Sequence, residues 1–192
     1  MKKIILLSLC VSLFIASKAQ STFGFKGGIN LASVKLAFPE AGLSINTTNK
    51  TSFVLGGYLN HPLNESWSIQ PELLFQGMGT NFMGETLSTN YIAIPVVFKY
   101  AISKTLNIEA GPQIGFLLSA KVQSEDVKSS FKSTDFQFVF GGGFNLSKKV
   151  QANVRYGVGL SNISAETANN SSFGNGVSAK NSALSFGLSF SL

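Results

Sequence analysis

Six charged residues are the side chains best placed for chemistry or ion transport, because each lies on the polar side of a segment in which apolar and polar residues alternate. They are Lys26, Glu72, Lys99, Glu109, Asp135 and Arg155. Inside a narrow barrel such charges must pair or stay hydrated, since an isolated ion in a dry interior is very costly. We expect Lys26, Glu72, Lys99, Glu109 and Arg155 to form a lumen charge network that fills the barrel. A proton or ion path is the alternative.

Other residue types with catalytic or metal-binding chemistry are scarce. Cys10 is the single cysteine and lies within the apolar N-terminal stretch, and His61 is the single histidine. Beyond that stretch the chain has one histidine and no cysteine, which cannot supply the ligands of a zinc site. We expect His61 to be a solvated turn residue. The sequence therefore predicts a non-enzymatic protein without a catalytic, metal or cofactor site.

The N-terminal 19 residues have the pattern of a secretory signal peptide. Lys2 and Lys3 precede an apolar stretch over 4–15, and Ser17 and Ala19 supply the small residues of a cleavage site. This stretch is shorter than the roughly 20 apolar residues of a transmembrane helix. We predict a signal peptide over 1–19 and one exported domain over 20–192.

The rest of the chain repeats at period two, which indicates strands with one apolar face. Each segment is about as long as a tilted strand that crosses a bilayer. The eight segments are 23–31, 51–60, 67–76, 91–100, 106–118, 135–144, 150–160 and 183–192. Pro95 and Pro112 fall inside two of them, and because proline cannot donate to a ladder we expect a bulge or bend there.

The connections between the segments alternate in predicted length. Four are long (32–50, 77–90, 119–134 and 161–182) and three are short (61–66, 101–105 and 145–149). Outer-membrane barrels have short periplasmic turns and longer extracellular loops, and an even strand count brings both ends of the chain to one side. We therefore predict that both termini are periplasmic and that long, polar, exposed loops such as 169–172 face outward.

Composition favours a lipid-facing barrel over a soluble β-sandwich or a lipocalin-like barrel. Charged residues are only 12% of the chain, whereas it has 17 phenylalanines and 19 glycines. A soluble barrel would carry charges on its outer face, but here the polar face is mostly Gly, Ser, Asn and Gln, which suit a narrow interior. The predicted fold is an eight-stranded antiparallel up-and-down transmembrane β-barrel. The sequence has no basic cluster with interleaved aromatics, which is the pattern that would indicate nucleic-acid binding.

Four stretches in this order resemble the PorT-like outer-membrane β-barrel proteins of the Bacteroidetes. They are GFKGGINL at 24–31, YIAIPVVFKY at 91–100, GPQIGFLL at 111–118 and RYGVGLSNI at 155–163. The resemblance implies a barrel in the cell outer membrane and no catalytic residues, and the eponymous member is similar to an accessory of a secretion and gliding system. The final stretch, 187–192, also resembles a barrel-assembly signal, although it ends in Leu192 where an aromatic is commoner.

These observations predict a monomeric outer-membrane protein whose outer loops bind a ligand or partner or stabilise the envelope. Its expected partners are outer-membrane lipid, the barrel-assembly machinery through the C-terminal strand, and an extracellular or secretion-system protein. A secretion-accessory role is the first alternative function, and a lipid-modifying enzyme is the second.

Overall fold

The computed structural model describes residues 21–38, 42–82, 84–165 and 178–192. The predicted signal peptide over 1–19, its cleavage site and the loop residues 169–172 lie outside these ranges. The strands are β1 (Thr22–Phe38), β2 (Leu43–Asn46), β3 (Thr48–Pro62), β4 (Trp67–Phe82), β5 (Glu85–Ala101), β6 (Leu106–Val122), β7 (Glu125–Asp126), β8 (Thr134–Asn145), β9 (Val150–Gly159) and β10 (Ser178–Ser191). Among the described residues, no helix has the length and hydropathy needed to cross a lipid bilayer.

Eight of these strands form a closed antiparallel barrel, and the short β2 and β7 extend two of its hairpins. The wall runs β1-β3-β4-β5-β6-β8-β9-β10. It closes where β10 pairs with β1, from Gly24 opposite Ser191 to Ala37 opposite Ser178. Closure matters because an open sheet edge in hydrocarbon would leave backbone groups unpaired at several kcal/mol each. The predicted eight-stranded barrel is confirmed.

The apolar side of each strand faces outward, as β8 illustrates. Phe136, Phe138 and Phe140 are 51%, 43% and 46% exposed, whereas Gln137 and Val139 between them are buried in the lumen. A soluble barrel would have the opposite arrangement. Near the short turns the ring of Trp67 lies 4.9 Å from that of Tyr100 on the neighbouring strand, and both are exposed. This is the position of an interfacial aromatic girdle.

The two ends of the barrel differ. The short-turn end carries the connections 63–66, 102–105 and 146–149, at the predicted places. At the opposite end, which we call the hairpin end, the prediction of a long loop over 77–90 is wrong. β4 and β5 continue through it to a tight turn, where Gly84 adopts a left-handed conformation (φ 84°) that favours glycine. Ser, Thr and Asn residues extend the ladder here instead of ending it.

These extended strands are longer than the bilayer requires. β5 and β6 have 17 residues each. At roughly 3.3 Å per residue and a tilt of about 40°, such a strand covers about 40 Å along the membrane normal, against an apolar band of about 25 Å. The outward residues of β5 are apolar near Phe98 and polar near Glu85. The wall therefore projects beyond the apolar band at the hairpin end.

No bulge lies at Pro95 or Pro112, the two prolines at which we expected a bulge or a bend. Pro95 stands opposite Gln113, and Pro112 opposite Phe138, without a change of register. The β5–β6 ladder is instead interrupted beside Pro112, at Val96 and Val97. The missing N–H therefore removes ladder pairing locally without shifting the strand. A register shift in this pair lies farther along, between residues 90 and 91.

Candidate functional site in the barrel lumen

Five strands each place one charged side chain in the lumen, and all five side chains are buried. Lys26 comes from β1, Glu72 from β4, Lys99 from β5, Glu109 from β6 and Arg155 from β9. These are the five residues that the sequence analysis named as a lumen charge network. Alternation points each of them inward, but only barrel closure brings these distant strands face to face.

Arg155 joins the two carboxylates. Its Nη1 and Nη2 donate to Glu72 Oε2 and Oε1 at 2.8 Å each. Its Nε donates to Glu109 Oε1 at 2.8 Å, and Nη2 lies 2.6 Å from the same oxygen. A guanidinium that binds two carboxylates through its planar fork fixes both distance and orientation. Arg155 is therefore the centre of the network.

The two lysines flank this centre unequally. Lys26 Nζ lies 3.2 Å from Glu72 Oε1, which also accepts a hydrogen bond from Gln70 at 2.7 Å. Lys99 Nζ is 3.8 Å from Glu109 Oε2, which is beyond hydrogen-bond length. The three cations outnumber the two carboxylates, so the network keeps a positive charge on its Lys99 side.

Glycines leave room for contacts that skip a strand. Gly141 on β8 pairs with Glu109 on one side and with Arg155 on the other. A Cβ at Gly141 would lie 2.2 Å from the Val154 carbonyl oxygen and 2.8 Å from the Arg155 Cα. Arg155 thus reaches Glu109 across β8 because the strand between them has no side chain there. The GGG run at 141–143 is the sequence feature that could have indicated this gap.

Toward the hairpin end, the network gives way to a layer of amides. Gln113 donates to Gln76 at 3.0 Å and to Gln137 at 3.4 Å. Asp135, which the sequence placed on the same polar face as the network, belongs to this layer instead. Its carboxylate accepts hydrogen bonds from Gln137 at 2.7 Å and from Asn181 at 2.8 Å. A cavity of only about 20 Å³ separates the amides from Arg155.

Apolar side chains close the lumen at the hairpin end. We call segments 127–133 and 160–165 the lid. The two segments are hydrogen-bonded to each other, since the backbone N–H of Lys132 donates to the carbonyl oxygen of Ile163 at 2.8 Å. Ile163 is 1% exposed, and Phe131 packs on the same buried residues. The expectation that both connections are wholly exposed loops is therefore wrong. Val127, Phe131 and Ile163 fold inward because the lumen at the hairpin end offers an apolar lining that includes Met78.

Metal-binding residue types do not cluster in the described part of the barrel. Across the described ranges, no group of three His, Cys, Asp or Glu side chains is placed to hold a metal ion. His61 is buried rather than solvated as expected, because it lies in β3, and its Nδ1 is 2.9 Å from Ser21 Oγ. This pair is at the short-turn end, where His61 stands opposite Ile69.

One family model and several solved structures are similar to this chain. The family model described as "Outer membrane protein beta-barrel domain" matches residues 17–165. Ail, the attachment invasion locus protein of Yersinia pestis, is similar at 14% identity and TM-score 0.50, over 89% of this chain and 99% of Ail. Neisserial surface protein A is similar at 13% identity and TM-score 0.49, over 86% of this chain and 96% of that protein. OprG of Pseudomonas aeruginosa is similar at 10% identity and TM-score 0.46, over 91% and 97%.

No curated protein matches the sequence. At 14% identity the likeness to Ail bears on the fold alone. The family match covers most of the chain, including the strands that carry the lumen charge network. Together with the closed sheet and its apolar outer face, the match identifies the chain as a member of the outer membrane protein β-barrel domain family.

Proposed function

We propose that this outer-membrane barrel is a closed, non-enzymatic protein that binds an extracellular partner with its hairpin end and does not conduct ions. The observation that carries the proposal is the obstructed lumen. The lumen charge network, the amide layer and the lid follow one another along the barrel axis, and the cavity between the first two holds about 20 Å³. That volume suits about one water molecule.

We infer that the short turns are periplasmic and the hairpin end is extracellular. The described termini support this, because Gly24 and Ser191 are paired beside the short turns. A chain whose N-terminus is released by signal cleavage leaves it on the periplasmic side, and barrels of this class have their short turns there. The projecting polar hairpins then stand outside the cell. They offer a rigid binding surface.

Planar-bilayer recording of the refolded protein tests the closed lumen. The expected result is no stable conductance step, because the ion pairs and the lid leave no continuous water path. A positive control replaces one residue of each layer, Phe131→Ala in the lid, Gln113→Ala among the amides and Arg155→Ala in the network, and should conduct more than the unmodified protein. Large, stable steps from the unmodified protein would overturn the proposal.

Surface labelling of intact cells tests the orientation. A cysteine at Ser129, in the lid, should react with a membrane-impermeant maleimide. A cysteine at Ser147, in a short turn, should react only after the outer membrane is permeabilised. The reverse pattern would place the hairpin end in the periplasm, and the binding role proposed for it would fail.

A secretion-accessory role is the second candidate, and the PorT-like stretches at 24–31 and 91–100 favour it. Deletion of the gene should then abolish secretion of proteins that leave the cell, whereas a binding role leaves secretion intact. The lipid-modifying enzyme is a third outcome. It would require that lipid A modification is lost on deletion and restored by the purified protein.

The assembly and oligomeric state follow from the same barrel. We propose that β10 carries the signal read by the barrel-assembly machinery, because its outward Phe186, Leu188 and Phe190 alternate with small residues up to the end of the strand. We also propose a monomer, since the closed sheet leaves no unpaired edge for a second copy.

A further inference from the structure

The seam where β1 pairs with β10 carries two lysines side by side on the outer face of the barrel. Lys35 of β1 stands directly opposite Lys180 of β10, and both side chains are exposed. Their sequence neighbours Val34 and Ala179 are buried on the lumen side, so alternation turns both lysines outward. We call Lys35 and Lys180 the lysine pair.

The lysine pair has no counterion in the described part of the chain. Directly opposite residues of an antiparallel pair have Cβ atoms about 4.5–5.5 Å apart, and like charges at such positions destabilise the sheet. The ion pairs among the described residues all lie within the lumen charge network, on the other face of the wall. Two cations that the protein leaves unneutralised at one point of its surface attract an anion from outside.

The lysine pair lies just beyond the apolar band of the outer face. The rows between it and the short-turn end are polar first and then apolar: Ser33 with Ser182, Leu31 with Leu184, Ile29 with Phe186, and Phe25 with Phe190. From the exposed Phe23 to Lys35 the strand climbs about 30 Å along the membrane normal, at roughly 3.3 Å per residue and a tilt of about 40°. The apolar band of such barrels is about 25 Å tall, and the lipid headgroups lie directly beyond it. The lysine pair is therefore at the height of the headgroups.

Two serine hydroxyls lie between the lysine pair and the apolar rows. Ser33 Oγ and Ser182 Oγ are 3.0 Å apart, so one hydroxyl donates to the other. The hydroxyl that accepts this bond keeps its own hydrogen for a further acceptor. Two ammonium groups and a hydroxyl donor thus face the same side of the wall, with apolar side chains next to them. A phosphate group that carries acyl chains has the matching order, an anion with several acceptor oxygens followed by hydrocarbon.

We propose that the lysine pair binds the phosphate group of an outer-leaflet glycolipid of the lipid A type, whose acyl chains lie along the apolar rows of the same seam. Both ammonium groups donate to phosphate oxygens, which offsets the repulsion between them. Because Lys35 and Lys180 belong to the first and last strands of the wall, the bound lipid bridges the closure of the barrel. The phosphate contact follows from the height of the pair, and only its assignment to the outer leaflet rests on the proposed function.

Native mass spectrometry of the refolded full-length protein in a nonionic detergent tests the phosphate contact. The probes are lipid A and the same lipid A after removal of its phosphates, each titrated separately. We expect a single tightly bound lipid A per barrel, with an affinity at least about tenfold higher than that of the dephosphorylated form, the ratio expected for one charge-assisted hydrogen bond. Inorganic phosphate and a sulfated oligosaccharide, each in large excess, should not displace lipid A, because they lack acyl chains.

A double variant and a matched control locate the contact. Lys35→Gln combined with Lys180→Gln removes both charges and should bring the affinity for lipid A down to that for the dephosphorylated form. Lys121→Gln removes another exposed lysine at the hairpin end, which stands opposite Asp126 in the ladder, and should leave the affinity unchanged. A cooperative thermal transition by circular dichroism checks that each variant folds.

Urea unfolding in vesicles gives an independent readout, because a lipid that binds only the folded barrel raises its stability. Lipid A added to phosphatidylcholine vesicles should raise the urea midpoint of the unmodified protein and leave that of the double variant unchanged. In phosphatidylcholine alone, the double variant should be at least as stable as the unmodified protein, since it lacks the repulsion between the two lysines.

Several results would overturn the site. Equal affinity for both forms of lipid A would remove the phosphate contact, and unchanged affinity in the double variant would place the phosphate elsewhere. Displacement by inorganic phosphate would mean a simple anion site, and displacement by the sulfated oligosaccharide would mean a site for a soluble polyanion. A reversed maleimide pattern at Ser129 and Ser147 would refute the proposed function and the outer-leaflet assignment, while the mass spectra would still decide the phosphate preference.

Discussion

Replacement of Arg155 by alanine should destabilise the barrel more than removal of any other single charge in the lumen. Arg155 contacts Glu72 twice at 2.8 Å and Glu109 at 2.6 and 2.8 Å. After Arg155→Ala, Glu72 keeps Lys26 at 3.2 Å, but Glu109 keeps only Lys99 at 3.8 Å. Most of the cost therefore falls on Glu109, which stays buried with a distant counterion.

The expected loss in the free energy of unfolding is about 3–5 kcal/mol, the cost of leaving a buried charge without its partner. Arg155→Lys keeps the charge but loses the planar fork, so we expect about half of that loss. The pair Arg155→Met and Glu109→Gln removes both charges and should recover part of the stability, because no uncompensated ion then remains. Non-additivity in this cycle measures the coupling between the two residues.

Equilibrium urea unfolding in lipid vesicles, followed by Trp67 fluorescence, measures these differences. Lys104→Ala serves as the control for loss of a cation, since Lys104 is exposed in a short turn. A loss below about 1 kcal/mol for Arg155→Ala is the value of a solvated surface pair. That result would mean that water screens the network, and the argument for a dry, obstructed lumen would be refuted.

Three further predictions address the lipid face and the lid. Phe138→Arg should reduce stability in vesicles by about 2–4 kcal/mol, the cost of a lipid-facing cation at mid-membrane, whereas Ser129→Arg in the lid should have little effect on urea unfolding. Single cysteines along 136–140 should react with a lipid-soluble maleimide at 136, 138 and 140 and resist it at 137 and 139. The opposite alternation would mean that the apolar face points into the barrel, as in a soluble protein. Ile163→Ala should lower the free energy of unfolding by about 2–5 kcal/mol in the same assay, because it leaves a cavity at a buried position. Ile102→Ala, at an exposed position in a short turn, should lower it much less. Equal losses for the two variants would mean that the lid does not pack against the barrel wall.

Much of the candidate site was visible in the sequence. Alternation alone assigns Lys26, Glu72 and Arg155 to the face opposite the aromatic residues, and the structure places them in the lumen. The sequence did not predict which charges meet. Arg155 and Glu72 are 83 residues apart, on strands that do not pair, so their contact depends on the curvature and closure of the whole sheet.

The sequence by itself determined the barrel wall. A side-chain period of two with aromatics on one face indicates strands that turn their aromatic face to the lipid. Closure of the sheet follows, because unpaired backbone groups in hydrocarbon cost several kcal/mol each. Only the tertiary structure decided the ends. The residues over 77–90 became strand rather than loop, since cross-strand pairing outweighed their polar composition. Phe131 and Ile163 turned inward because the barrel wall at the hairpin end presents Val34 and Ala179 to them. That apolar surface exists only once strands distant in sequence lie side by side.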